Sequence, residues 1–139
     1  MEKAPLFQLP EIHSGKVYDL NKDIGKVIVL TFWVSWCPDC SRDLPMKEQL
    51  YRSMDSNKVR MLTINVAGRE RSSQAGEEFA AKFLTQQTLV DEGRRVYEQY
   101  QCTSVPTTAI IDQDGYLAAR FDDQAEFLEI VEKVGELVD

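Results

Sequence analysis

Two cysteines stand two residues apart in the stretch Trp36-Cys37-Pro38-Asp39-Cys40. That spacing serves thiol–disulfide exchange, half of a zinc site, or merely two small buried residues. The flanking sequence separates these readings. Val27 to Trp33, just before the pair, is apolar almost throughout and rich in β-branched and aromatic residues. That is the pattern of a strand buried on both faces of a sheet. Asp39 to Met54, just after it, turns helical, with Leu44, Lys47-Glu48, Leu50-Tyr51 and Met54 recurring at spacings of three and four. A cysteine pair at such a junction puts its first sulfur near a helix N-terminus. Unpaired N–H groups and the helix dipole there favour a thiolate. Cys37 is the candidate attacking thiol, and Cys40, one turn deeper, the resolving one. Pro38 suits the first helical turn, where its missing N–H costs nothing.

The rival chemistries fit less well. A zinc site would need Cys102 and His13 to complete it, and these lie in unrelated contexts, with no second CxxC and no HxxxH. A peroxidatic cysteine needs a lone thiolate in a pocket framed by proline and threonine, not a pair. Cys102 reads as a small core residue, and His13, the only histidine, as a solvated loop residue.

The whole chain narrows the function further. Its 139 residues suit one domain, taken as residues 1–139, and can bury a core without disulfide staples. A net charge of -7 repels phosphate backbones and anionic lipids, so neither nucleic acid nor a membrane surface is an expected partner. Three cysteines are too few for a secreted disulfide scaffold. The longest apolar run, Val27 to Val34, is too short to span a bilayer. No signal-like segment opens the chain, and any leader or anchor would precede Met1.

The remaining elements follow from patterning. Phe7–Leu9 and Lys16–Asp19 read as short strands joined by a turn, and Asn21–Gly25 as a loop. Pro45 falls inside the first helix and is expected to kink it. Val59–Val66 reads as a second core strand. Ser72 or Ser73 is the expected cap of a helix over Gln74–Leu84. Thr88–Val90 is a brief strand and Arg94–Tyr100 a short helix. Val105–Ile111 is a strand that begins at a proline. Asp112 to Gly115 is a turn that folds Tyr116–Phe121 back as a hairpin. Asp122 or Asp123 is the expected cap of a last helix with Phe127, Leu128, Val131, Val134, Leu137 and Val138 on its inner face. Alternating elements with one late hairpin imply an α/β layer fold with a mixed sheet.

Three segments together carry a family resemblance. Trp-Cys-Pro-Asp-Cys after a hydrophobic strand resembles a thioredoxin-fold active site. Thr103-Ser104-Val105-Pro106-Thr107-Thr108 resembles the cis-proline segment of that fold. The opening Ala4-Pro5-Leu6-Phe7-Gln8-Leu9-Pro10, and the long stretch between the cysteines and Pro106, resemble the TlpA/ResA-like branch. The resemblance implies a thioredoxin-like fold: a central mixed sheet flanked by helices, with an N-terminal β-extension and a central α-β insertion. It implies a thiol-disulfide oxidoreductase without a bound cofactor, acting on protein disulfides such as those of apocytochrome c or envelope and spore proteins. It further implies a monomer, recharged by a membrane thiol-transfer donor. The expected place is extracytoplasmic, in the periplasm or on the outer face of the membrane, although the residues themselves leave the cytoplasm open.

Carried onto this chain, Cys37 attacks and Cys40 resolves. Trp36, Pro38, Asp39, Val105 and Pro106 frame the substrate, and Pro106 is the expected cis-proline. The backbone of Val105 is placed to pair with an extended substrate segment. Two departures stand out. Many thioredoxins have a buried aspartate where this chain has Thr31, and a hydroxyl cannot accept a proton at neutral pH. Glu70 is the nearest substitute acceptor. Asp39 sets a negative charge beside Cys37, which works against a thiolate and favours a reductant over a strong oxidant. The rival from another class is a non-catalytic thioredoxin-like module that binds partners or copper.

Overall fold

The computed structural model describes residues 2–138. The chain runs β1 (Gln8–Pro10), β2 (Val17–Asp19), β3 (Val27–Trp33), α1 (Pro38–Ser53), β4 (Val59–Asn65), α2 (Ala75–Phe83), β5 (Gln87–Val90), α3 (Arg95–Gln99), β6 (Thr107–Ile111), β7 (Leu117–Phe121) and α4 (Phe127–Leu137). β1 and β2 form a separate antiparallel hairpin. The other five strands make one sheet in the order β5-β4-β3-β6-β7. β3–β4 and β4–β5 are parallel, whereas β3–β6 and β6–β7 are antiparallel. The mixed sheet, the N-terminal β-extension and the inserted α2–β5 segment match the expected architecture.

The most apolar stretch takes the centre. β3 is buried at every position and paired on both edges, which is why its residues do not alternate in polarity. Val27 and Val29 pack with Leu50 of α1 and with Ile130 and Val134 of α4. Phe32 meets Tyr97 and Tyr100 around α3. Phe7 packs edge-on against Tyr100, whose hydroxyl donates to the Pro5 carbonyl at 2.7 Å, tying the N-terminal segment to the domain. Trp33 stacks on Phe79 of α2 and donates to Thr63 at 3.0 Å, as befits a core tryptophan.

One row of the sheet is polar. Thr88, Thr63, Thr31 and Thr108 stand in register across β5, β4, β3 and β6. All four are buried, so each hydroxyl needs a partner. Thr63 and Thr88 bond each other at 2.7 Å. Thr31 and Thr108 are served from α1, as described below.

Several local expectations are corrected. Neither Ser72 nor Ser73 caps α2: Gln74 precedes the helix with αR backbone angles and no side-chain cap. Neither Asp122 nor Asp123 caps α4: Asp122 instead accepts the Gln124 N–H at 2.9 Å. The helix begins after Glu126, whose N–H is taken by Glu129 at 3.0 Å. Leu128 is 63% exposed and Ile130 takes the inward place, because 127, 130, 131 and 134 share one face and 128 falls off it. Leu20–Asp23 is a 3-10 turn rather than a loop, begun by the Asp19 carboxylate on the Asn21 N–H. Pro45 lies inside α1, where the sequence places it.

The insertion is clamped to α1 by a buried carboxylate. Glu48, 3% exposed, accepts from Thr85 N at 2.7 Å, Thr85 Oγ1 at 2.5 Å, Gln86 N at 3.2 Å and Gln86 Nε2 at 2.8 Å. Burial alone would raise its pKa, but these hydrogen bonds bring it below the ordinary carboxylate value. Glu48→Ala leaves those donors without their acceptor, and we expect it to cost about 2–4 kcal/mol. Differential scanning calorimetry checks this. A depressed folded-state pKa means the carboxylate's contribution is present above pH 4.5, its ordinary value, and lost as pH falls through the folded-state value. The gap between wild type and variant is therefore expected to narrow in acid.

Candidate active site

The first cysteine closes the junction between β3 and α1. Cys37 is the N-cap, with extended backbone (φ −87°, ψ 119°), and Pro38 opens the helix. The Cys37 sulfur accepts the Cys40 N–H at 3.3 Å, satisfying one of the helix's orphan donors. Its thiol donates to the Val105 carbonyl at 3.5 Å. The Val105–Pro106 bond is cis. The chain just before β6 therefore meets the sulfur directly, across 68 residues of sequence.

Both thiols are free and buried, Cys37 being 6% exposed and Cys40 not at all. Burial pushes the Cys40 thiol far above its ordinary range; the Cys37 sulfur and the charge of Asp43 push the same way, against a hydrogen bond from the Val34 backbone. Cys40 is thus an inert thiol until something takes its proton.

The rim is mixed. Trp36 is 37% exposed, donates to the Arg69 carbonyl at 2.8 Å, and carries the Arg71 guanidinium 4.5 Å from its ring centre. Asp39 pairs with Arg42 one turn on, so its charge does not stand alone beside Cys37. Asp39, Arg42, Asp43, Pro106, Asp122 and Asp123 are among the residues lining a cleft of about 200 Å³.

Glu70 is half-buried just after β4. Its carboxylate takes Ser35 N at 2.8 Å, Ser35 Oγ at 2.7 Å and Asn65 Nδ2 at 2.7 Å. It therefore braces the bend between β3 and Cys37. Thr31 is buried and accepts from Lys47 Nζ at 3.0 Å, and Lys47 also reaches Asp43 at 3.0 Å. The sequence pattern leaves Asp43 unmarked and marks Lys47 only as part of the helical spacing. The available signal is spacing: Cys40, Leu44 and Lys47 fall on one helical stripe, and Lys47 on that stripe reaches Thr31.

Cys102 lies in the core between α3 and β6, 8% exposed, and burial pushes its thiol up to about 12. His13 is exposed in the turn between β1 and β2. No three His, Cys, Asp or Glu side chains gather as a metal site among the described residues.

Comparison with known proteins places the chain. Residues 1–120 match the model of the AhpC/TSA family. Sporulation thiol-disulfide oxidoreductase A of Bacillus subtilis is 30% identical over 119 residues, covering 82% of this chain and 71% of its own length. Thiol-disulfide oxidoreductase ResA of Geobacillus kaustophilus is 34% identical over 113 residues, 81% of this chain and 63% of its own. Among solved structures, the pneumococcal exposed lipoprotein thioredoxin (Etrx1) from Streptococcus pneumoniae superposes with a TM-score of 0.83 at 29% identity, covering 96% of this chain and 100% of that one. StoA from Bacillus subtilis superposes at 0.79 with 23% identity, covering 95% and 97%. The chain belongs to the AhpC/TSA family, and within it is a thioredoxin-like thiol-disulfide oxidoreductase.

The three thiols are expected to differ in reactivity. Iodoacetamide at mildly alkaline pH should label Cys37 alone in the native reduced chain, with Cys40 and Cys102 reacting only after unfolding. Peptide mapping by mass spectrometry checks this, and native labelling of Cys40 at a rate equal to Cys37 contradicts it.

Proposed function

We propose that this oxidoreductase reduces protein disulfides, with Cys37 as attacking thiol and Cys40 as resolving thiol. The observation that carries the reading is the setting of the Cys37 sulfur. It sits at a helix N-cap between the Cys40 N–H and the Val105 carbonyl, beside the cis Pro106.

The Cys37 thiolate attacks one sulfur of a substrate disulfide. The substrate S–S bond breaks, a Cys37–substrate bond forms, and the freed substrate thiolate takes a proton. Cys40 then gives its proton to a base and attacks Cys37. The mixed disulfide breaks, the second substrate thiol leaves, and a Cys37–Cys40 disulfide remains. Two electrons pass from the dithiol to the substrate.

We assign the base to Asp43 rather than Glu70. Asp43 lies one turn beyond Cys40 and its charge reaches that sulfur, while Glu70 is spent on Ser35 and Asn65. The proton moves directly or through one water. Trp36, Pro38 and Asp39 form the rim against which substrate lies. An extended segment pairs with the Val105 backbone, held beside the sulfur by the turn at Pro106.

The direction follows from the contacts on Cys37, which are two neutral backbone groups. Strong oxidants stabilise their reduced form by holding a thiolate with cations. This site offers no such partner among the described residues' hydrogen bonds, so the disulfide is not driven open and the pair donates electrons. Such a reductase suits work outside the cytoplasm on apocytochrome c or on envelope or spore protein thiols. There it acts as a monomer recharged by a membrane thiol-transfer donor.

Insulin reduction by dithiothreitol tests the activity: both Cys37→Ser and Cys40→Ser should lose the catalysed rate, and equal rates for all three proteins would remove the enzyme reading. Equilibration with glutathione tests the direction. A potential below about −230 mV is expected, whereas one near about −120 mV would make the protein an oxidant. Trapping with Cys40→Ser identifies the substrate.

A further inference from the structure

Lys47 is completely buried, and its ammonium makes three hydrogen bonds: to Thr108 Oγ1 at 2.7 Å, to Thr31 Oγ1 at 3.0 Å and to Asp43 Oδ2 at 3.0 Å. An ammonium has three protons, so its capacity is filled. Thr31 and Thr108 stand opposite each other on β3 and β6. Lys47 therefore bridges the two strands whose ends deliver Cys37 and Pro106. Its third bond ends on the carboxylate one turn beyond Cys40.

We propose that Lys47 is a positioning residue for the resolving step: fixed by Thr31 and Thr108, it aims the Asp43 carboxylate at Cys40 and supplies the positive charge beneath the thiolate that forms there. The proposal rests on the reading of Cys37 and Cys40 as the exchanging pair. In that step the Cys40 S–H bond breaks and its proton passes to Asp43. The sulfur's electron pair forms the bond to Cys37, and the Cys37–substrate bond breaks with its electrons leaving on the substrate sulfur. Lys47 keeps its proton throughout.

The charges agree with the geometry. Burial weakens the hold of Lys47 on its proton, and the charges of Asp43 and Cys40 act to restore it. The coupling is mutual: an ammonium favoured by a Cys40 thiolate favours that thiolate by the same amount. Other charged and titratable groups face this place from each side. Asp39 and Arg42 on α1 pair with each other, Cys37 sits at its cap, and Asp122 and Asp123 line the cleft from the segment before α4. β3 and β6 present only the two threonine hydroxyls to the ammonium.

The test mixes the reduced full chain with oxidised glutathione, quenches with acid, and separates the glutathione adduct from the closed Cys37–Cys40 disulfide by mass spectrometry. Lys47→Met keeps the volume and removes the charge. It is expected to slow closure about tenfold near neutral pH, less than the roughly hundredfold or more of a deleted acid–base group because Asp43 itself remains, and to move the pH profile of closure to higher pH. Formation of the adduct, measured in a Cys40→Ser background, should change by less than about twofold with the same substitution, since Cys37 does not use this base. Should Lys47→Met fail to fold, Thr108→Val loosens the ammonium instead and is expected to slow closure about threefold. Closure at the wild-type rate with an unmoved pH profile, in whichever variant folds, overturns the proposal while leaving the redox pair intact. A Cys37→Ser chain that still takes up glutathione at the wild-type rate overturns the redox pair itself, and the role of Lys47 with it.

Discussion

The site depends on where β3 stops. The strand is paired on both edges as far as Phe32 and Trp33, and the Trp33 carbonyl is held by the Val66 N–H at 3.0 Å. Four residues then turn the chain into α1. The bend is fixed from outside by Glu70, which takes both the N–H and the hydroxyl of Ser35 and is itself steadied by Asn65 at the end of β4. The Cys37 sulfur thus inherits its position from the centre of the sheet. β6 is the antiparallel neighbour of the same strand, so the segment before it arrives at that sulfur without a loop having to find it. Exchange chemistry needs a closely held sulfur, and one central strand fixes both Cys37 and the Val105 backbone beside it.

What was readable in the sequence was local in character. β3 announces itself by the eight-residue apolar or β-branched run Val27 to Val34, and the helix after it by spacing. The cysteine pair and the Val105-Pro106 step are each fixed by a few adjacent residues. Capping was less readable. Ser72, Ser73, Asp122 and Asp123 are all good caps by residue type, but helix starts are decided by which nearby amide lacks a partner once the chain has packed. On α4, Glu129 reached back to an amide that two aspartates upstream could not.

The charged residues were the least readable, for a common reason. Glu48, Glu70 and Lys47 would each be placed on a solvated surface by type alone. Each is instead met by polar groups from distant segments: Glu48 by Thr85 and Gln86, Glu70 by Ser35 and Asn65, Lys47 by Thr31 and Thr108. The partners lie as far as 61 residues away, and nothing in a local window reveals them. The threonine row is the exception. Four β-branched hydroxyl residues at matching levels of four strands mark a polar seam once the register is known, and a polar seam under a helix calls for a polar residue on that helix.

The energetics of Lys47 say what kind of residue it is. Taking an ammonium out of water costs several kcal/mol even after relaxation. Hydrogen bonds involving a charged group return about 1.5–3 kcal/mol each, so three of them bring the residue near balance and no further. Replacing Lys47 and Asp43 together by apolar side chains would cost the fold little, whereas removing Lys47 alone leaves the Asp43 carboxylate without its partner. Stability therefore gives little reason for the ion pair as a whole at this position. What the cation changes is the local charge: it offsets Asp43 in a place where a lone carboxylate would oppose a second negative charge on Cys40. A thiol as deeply buried as Cys40 loses its proton only where the resulting charge has a counterpart, and α1 carries that counterpart two turns beyond the sulfur.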